Sequence, residues 1–156
     1  MHMSSLRNLG LLFLIAAQLA CGGSKAERTA QTKDEIQLYL ETYLPILAEA
    51  YATGDVRPLK GLAAEKEVAY VRKFLEKLAD SGKTLEPKFG HVTIEDFNVW
   101  NHSNAFVTTV ETWDVRLFAT GSHTLLGEDI GRSDRVKYQL KRDDGRWRVL
   151  YRSKQG

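Results

Sequence analysis

VKYQLKRDDGRWRVLY, residues 136–151, decides the fold. Val136, Tyr138 and Leu140 alternate with Lys137, Gln139 and Lys141, so one face of the run is apolar and the other basic. Asp143-Asp144-Gly145 then supplies turn chemistry, and Trp147, Val149 and Tyr151 resume the alternation. Two strands of period two around a glycine turn make an antiparallel hairpin with one buried face. Upstream, residues 105–120 form a long run rich in Val, Thr, Phe and Trp, which reads as another strand. Val92, Ile94, Phe97, Val99 and Trp100 read as a strand before that, and their alternation slips between Ile94 and Phe97, where a bulge is expected. The turn Asn101-His102-Ser103-Asn104 joins these two strands. Residues 121–131 (GSHTLLGEDIG) hold three glycines and read as a long hairpin loop.

The chain before residue 90 has a different period. Thr32 and Glu35 are spaced as a capping box, and Ile36, Tyr39, Leu40, Tyr43, Leu47 and Tyr51 follow on one helical face. Pro45 falls inside that run, where a kink is expected. Gly54 and Asp55 mark the stop and the next start. A short helical piece over 56–62 and a longer helix over 64–81 follow, the latter with Val68, Val71, Leu75 and Leu78 on its apolar side. Helices first and an antiparallel meander after give an α+β fold, N-terminal helices packed on a curved four-stranded sheet.

That order, the closing pattern Val136-x-Tyr138-x-Leu140-x3-Asp144-Gly145-x-Trp147-x-Val149, and Tyr51-Ala52-Thr53-Gly54-Asp55 at the end of the first helix resemble the nuclear transport factor 2-like superfamily. The resemblance spans residues 34–152 and makes 34–156 one domain. It implies a cystatin-like cone with a pocket between the helices and the sheet. Members of that superfamily include isomerases, dehydratases and hydrolases as well as non-catalytic binding and assembly modules, so the fold alone does not choose.

Candidate chemistry lies on the inward strand positions. In the run 105–120, Ala105, Val107, Thr109, Glu111, Trp113, Val115 and Leu117 share the more apolar face, which makes Glu111 a candidate buried general base. Trp113, Tyr138 and Val149 are its expected inward neighbours, and of these only the Tyr138 hydroxyl could assist. Acid–base catalysis needs more than that, so no converging set is expected around Glu111. Asp114 and Arg116, two apart on the opposite face, read as a surface ion pair. His91, His102 and His123 lack ligand spacing and a cysteine partner, and no phosphate-binding loop or nucleophile elbow occurs; neither metal nor cofactor is expected.

Charge is asymmetric. From Arg132 onward nine basic residues face three acidic ones. With Val136, Tyr138, Leu140, Trp147, Val149 and Tyr151 inward, alternation puts Lys137, Arg146, Arg148 and Arg152 on an outer basic face suited to an anionic surface or an acidic envelope partner.

Residues 1–20 read as a secretory signal: Arg7 is the positive start, 9–17 (LGLLFLIAA) is an uncharged apolar run, and Gln18-Leu19-Ala20 precede Cys21. The run to Ala20 is about 12 residues, short of the roughly 20 needed to span a bilayer. Ending on the chain's only cysteine, it resembles a bacterial lipoprotein signal, with Leu19 large and Gln18 unusual for their places. The resemblance implies that Cys21 is lipidated and becomes the mature N-terminus; ordinary cleavage near Gly22 or Gly23 and an uncleaved anchor are the alternatives. A lone cysteine forms no internal disulfide, which suits lipid attachment. Residues 21–33 then read as the lipidated cysteine and a flexible tether. Together these imply a bacterial envelope protein, anchored in the outer membrane and facing the periplasm, with no nucleic-acid partner. The function expected is a binding or assembly module without catalysis; an isomerase, dehydratase or hydrolase using an acid inside the cone is the alternative.

Overall fold

The computed structural model describes residues 24–156. The expected signal peptide and Cys21 lie outside the described residues. Two helices, a short 3-10 turn and four strands follow in chain order: α1 Lys25–Thr53, the turn Arg57–Leu59, α2 Glu65–Asp80, β1 Lys83–Trp100, β2 Asn104–Ala119, β3 Leu125–Asp143 and β4 Arg146–Gln155. The strands form one antiparallel sheet in the order β1-β2-β3-β4, and the helices pack on it. This is the α+β, cystatin-like arrangement expected from the sequence.

Helix α1 begins earlier than the pattern at Thr32 suggests. Ser24 caps it, its hydroxyl accepting from Glu27 N at 3.2 Å while the Glu27 carboxylate accepts from Ser24 N. Thr32 is interior, and its hydroxyl donates back to Arg28 O. The segment expected to be a flexible tether is therefore helical from Lys25 onward. The capping box lies eight residues upstream of the expected one and carries the helix back to Ser24. Pro45 lies within the helix, and Gly54 ends it at φ +77°, a left-handed conformation that glycine adopts without cost. Ile36, Leu40, Tyr43, Leu44 and Leu47 are buried against the sheet.

Strand β1 is longer than expected, reaching back to Lys83 past Pro87 and Gly90. Those two residues argue against a central strand, but β1 is an edge, where a missing N–H costs no ladder bond. Its pairing with β2 shifts at Gly90 and again at Glu95, the second within the slip visible in the sequence. Gly90 sits so close to β2 that a Cβ there would lie 3.0 Å from Thr112 O.

The loop expected over 121–131 is strand from Leu125. Gly121 stays in the shortened turn at φ +88°, while Gly131 serves a pairing irregularity. Trp113 pairs with Arg132 and Val115 with Asp129, leaving Ile130 and Gly131 to share one place opposite Asp114. Gly131 takes φ +68°, and its N–H donates to Asp114 Oδ1 at 2.8 Å. Asp114 is thereby occupied, and Arg116 pairs across the strand with Glu128 at 3.3 Å, in place of the ion pair expected between Asp114 and Arg116. The free edge of β4 is covered by the segment entering α2: Val149 N donates to Leu62 O and Ala64 N to Val149 O.

Candidate functional site

Alternation on β2 holds. Ala105, Val107, Thr109, Glu111 and Trp113 are all buried, so a carboxylate stands inside the domain as expected. What surrounds it differs from expectation. Tyr138 OH donates to Glu111 Oε1, Thr109 Oγ1 donates to the same oxygen at 3.0 Å, and Trp113 Nε1 donates to Oε2 at 3.0 Å. No converging acid–base set is expected around Glu111; what the structure brings there is hydrogen-bond donors, two β2 side chains and one from β3 on one carboxylate. Burial pushes the Glu111 carboxyl above its ordinary range, and the three hydrogen bonds work against that rise. Burial also raises the Tyr138 hydroxyl far above its usual value, so Tyr138 is a donor and stays protonated.

Arg152 is the larger correction. Alternation from Trp147 puts Tyr151 inside and Arg152 outside. In the structure Gln139 pairs with Tyr151 and Leu140 with Val149, so Leu150 is an extra residue opposite β3. A bulge of one residue exchanges the faces of everything beyond it. Arg152 now lies opposite Tyr138 and points inward, while Tyr151 is 49% exposed. The Arg152 guanidinium donates to Glu67 Oε1 at 2.6 Å and to Tyr51 OH at 2.5 Å. It therefore joins α1, α2 and β4 through one buried group and does not belong to the outer basic face.

Lys137 and Arg146 are exposed and Arg148 is half-buried. Their neighbours Arg135, Lys141 and Arg142 are paired with Glu95, Asp143 and Glu35, so part of the positive charge on the outer face is already neutralised.

Two inward acids escape the sequence reading. Asp134 is in phase with Val136 and Tyr138, a signal present in the alternation. Glu67 stands one and two turns before Val71 and Phe74, at the margin of the α2 apolar stripe, where a lone carboxylate reads as solvated. Asp134 receives Arg132 through two contacts (Nε to Oδ1 at 2.9 Å, Nη2 to Oδ2 at 2.5 Å) and Lys154 Nζ at 2.6 Å. Burial works to raise its carboxyl, but hydrogen bonds from Arg132 and Lys154 outweigh it and hold the group below its ordinary value.

Glu111, Asp134, Arg132, Lys154 and Arg152 line a cleft of about 570 Å³ between the helices and the sheet. Tyr51, Tyr70 and Phe74 form the helical wall, Trp113 and Val115 the floor, and Arg132, Asp134 and Lys154 one side. Its volume is that of a small-molecule site. Among the described residues, no three His, Cys, Asp or Glu side chains assemble as a metal-binding group.

The Glu111 cluster makes a direct prediction. Glu111→Gln can turn its amide oxygen to Trp113 Nε1 and its NH2 to the Tyr138 and Thr109 hydroxyls, which rotate to accept. It should change stability by about 1 kcal/mol or less at neutral pH, whereas Glu111→Leu strands buried donors and should cost roughly 2–5 kcal/mol. Because the folded state raises the Glu111 pKa, its contribution is full below the ordinary value of 4.5 and is lost as pH rises through the raised one. Urea denaturation across that range should show a decline in the wild type that the Gln variant flattens. Identical slopes would mean another group is titrating.

No protein-family model and no curated protein sequence matches the chain. Solved structures do. The intermembrane space region of the chloroplast protein ARC6 superposes with a TM-score of 0.64 at 13% identity, covering 81% of this chain and 94% of that one. A periplasmic fragment of TraM gives 0.54 at 12% identity over 78% of this chain and 95% of the fragment. A function-unknown protein from Mycobacterium tuberculosis gives 0.53 at 17%, covering 85% and 75%. The neighbours also include proteins described as cystatin-like and as nuclear transport factor 2-like. At these identities the ARC6, TraM and Mycobacterium tuberculosis structures show the fold and carry no activity across.

Proposed function

We propose that this chain is a ligand-binding module of the bacterial cell envelope, held to a membrane through lipid on Cys21, and not an enzyme. The observation that carries the binding reading is a roomy, aromatic-walled cleft whose acids are all occupied by the protein itself. Of the two acids that line it, Glu111 has donors on both oxygens and Asp134 carries two cations. A general base must accept a proton from a substrate, and each of these carboxylates already commits part of its accepting capacity to internal donors. The argument for the envelope lies in residues 7–21. ARC6 and TraM, whose solved pieces have this fold, come from an intermembrane space and a periplasm, which is in keeping with it.

The cleft is tested with N-phenyl-1-naphthylamine, a neutral aromatic dye that brightens when it leaves water. The domain should bind one dye per chain. Phe74→Ala, which removes a half-exposed side chain from the wall, should weaken binding about ten-fold, the order expected for one lost aromatic contact. Glu111→Gln should leave it within about two-fold, because the base is not needed to hold the ligand. No saturable binding, or binding indifferent to Phe74, would remove the cleft as a site. Turnover of a small substrate that Glu111→Gln abolishes would establish the enzyme instead.

A further inference from the structure

We infer that the ligand is a small amphipathic anion, an aromatic or alicyclic body bearing one carboxylate, sulfonate or phosphate. The inference rests on the cleft being a binding site and adds the chemistry of what it takes. The groups that point into the cleft differ in what they have left to offer. Its acceptors are largely taken up: Glu111 Oε1 receives Tyr138 and Thr109, Oε2 receives Trp113, and both oxygens of Asp134 receive hydrogen bonds or cations. An incoming cation or hydroxyl donor would meet only carboxylates already shared with internal donors.

Its donors are in surplus. Arg132 uses Nε and Nη2 on Asp134, and among the described residues its Nη1 has no protein partner. Lys154 places its ammonium, which has three donors, on the same carboxylate. Among the groups that line this side, two cations share one carboxylate, while Asp129 acts on Arg132 from outside the lining. Both side chains remain accessible, Arg132 35% and Lys154 55% exposed, so an anion can reach them without unfolding anything. Tyr70 and Phe74 also line the cleft, large side chains that stay 59% and 38% exposed although the Tyr51 ring packs edge-on to Phe74. A ligand meeting both walls needs an anionic head and an apolar body. A cavity near 570 Å³ suits a molecule of drug size and not a two-chain lipid.

The experiment compares 1-anilinonaphthalene-8-sulfonate with N-phenyl-1-naphthylamine, probes that share the aromatic body and differ by the sulfonate. The sulfonate should bind about ten-fold more tightly or better, the scale of one charge-assisted hydrogen bond. Lys154→Gln, at a half-exposed position, should erase most of that advantage and leave the neutral dye within about two-fold. Asp134→Asn should act the other way, freeing both cations and tightening the sulfonate. Inorganic phosphate, an anionic head without a body, should compete only at millimolar concentration. Equal affinity for the two dyes, or a sulfonate indifferent to Lys154, overturns the anion inference while the cleft stands. If neither dye binds, the cleft reading falls first.

Discussion

Arg152→Ala is expected to destabilise the domain by roughly 3–5 kcal/mol, the scale for stripping one partner from a buried ion pair. Glu67 is 2% exposed, and without Arg152 its charge is left in the core with no counterion. Tyr51 loses its donor and the cation above its ring in the same step. Urea denaturation should show a lower midpoint with an unchanged slope. Two controls separate the ion pair from mere loss of packing. In the double variant Glu67→Leu, Arg152→Met, apolar groups replace both charges, and most of the lost stability should return. The defect of Arg152→Ala should also shrink towards acid pH, because burial already pushes the Glu67 carboxyl up and protonation removes the uncompensated charge. A variant as stable as the wild type would mean that Arg152 is exposed after all. It would return the residue to the outer basic face.

Cys21→Ser is expected to abolish membrane retention outright. Acyl chains each contribute on the order of 0.8 kcal/mol per buried CH2, and stable anchoring takes more than one chain. Wild-type protein grown with a fatty-acid analogue should carry the label and sediment with membranes; the serine variant should be unlabelled and soluble. The folded domain is not involved, so its denaturation midpoint should not move. An unlabelled wild type recovered in the soluble fraction would mean ordinary signal cleavage near Gly22 or Gly23. The cleft prediction would then apply to a secreted protein.

Part of the candidate site is legible in the amino-acid sequence. Glu111 lies among Val107, Thr109 and Trp113 in an unbroken alternation, and β2 keeps that phase from Asn104 through Trp113 because the first break in its pairing with β3 comes only beyond Trp113. Its inward direction follows from the sequence alone. The identity of its partners does not, since Tyr138 reaches it from β3 only once the register of that pairing is fixed. Asp134 and Arg132 share the phase of Val136, so the anionic and cationic side of the cleft is present in the same alternation. Glu67 gives almost no signal: one carboxylate at the margin of an amphipathic helix differs from its solvated neighbours only when something across the cleft needs it.

The sequence by itself determined the element order, the stop at Gly54, the apolar face of β2 and the hairpin turn at Asp144-Gly145. These depend on interactions a few residues long: helical and strand periodicity, capping and turn conformation. Tertiary structure decided where the strands end and which way Arg152 points. β1 runs through Pro87 because it is an edge, β3 absorbs Gly131 in a bulge opposite Asp114, and Leu150 is the extra residue that turns Arg152 from surface to interior. A bulge is a mismatch in count between two paired strands, and neither strand carries that count alone. The cleft inherits its buried cation from that mismatch, which is why alternation assigns the most consequential charge in the domain to the wrong face.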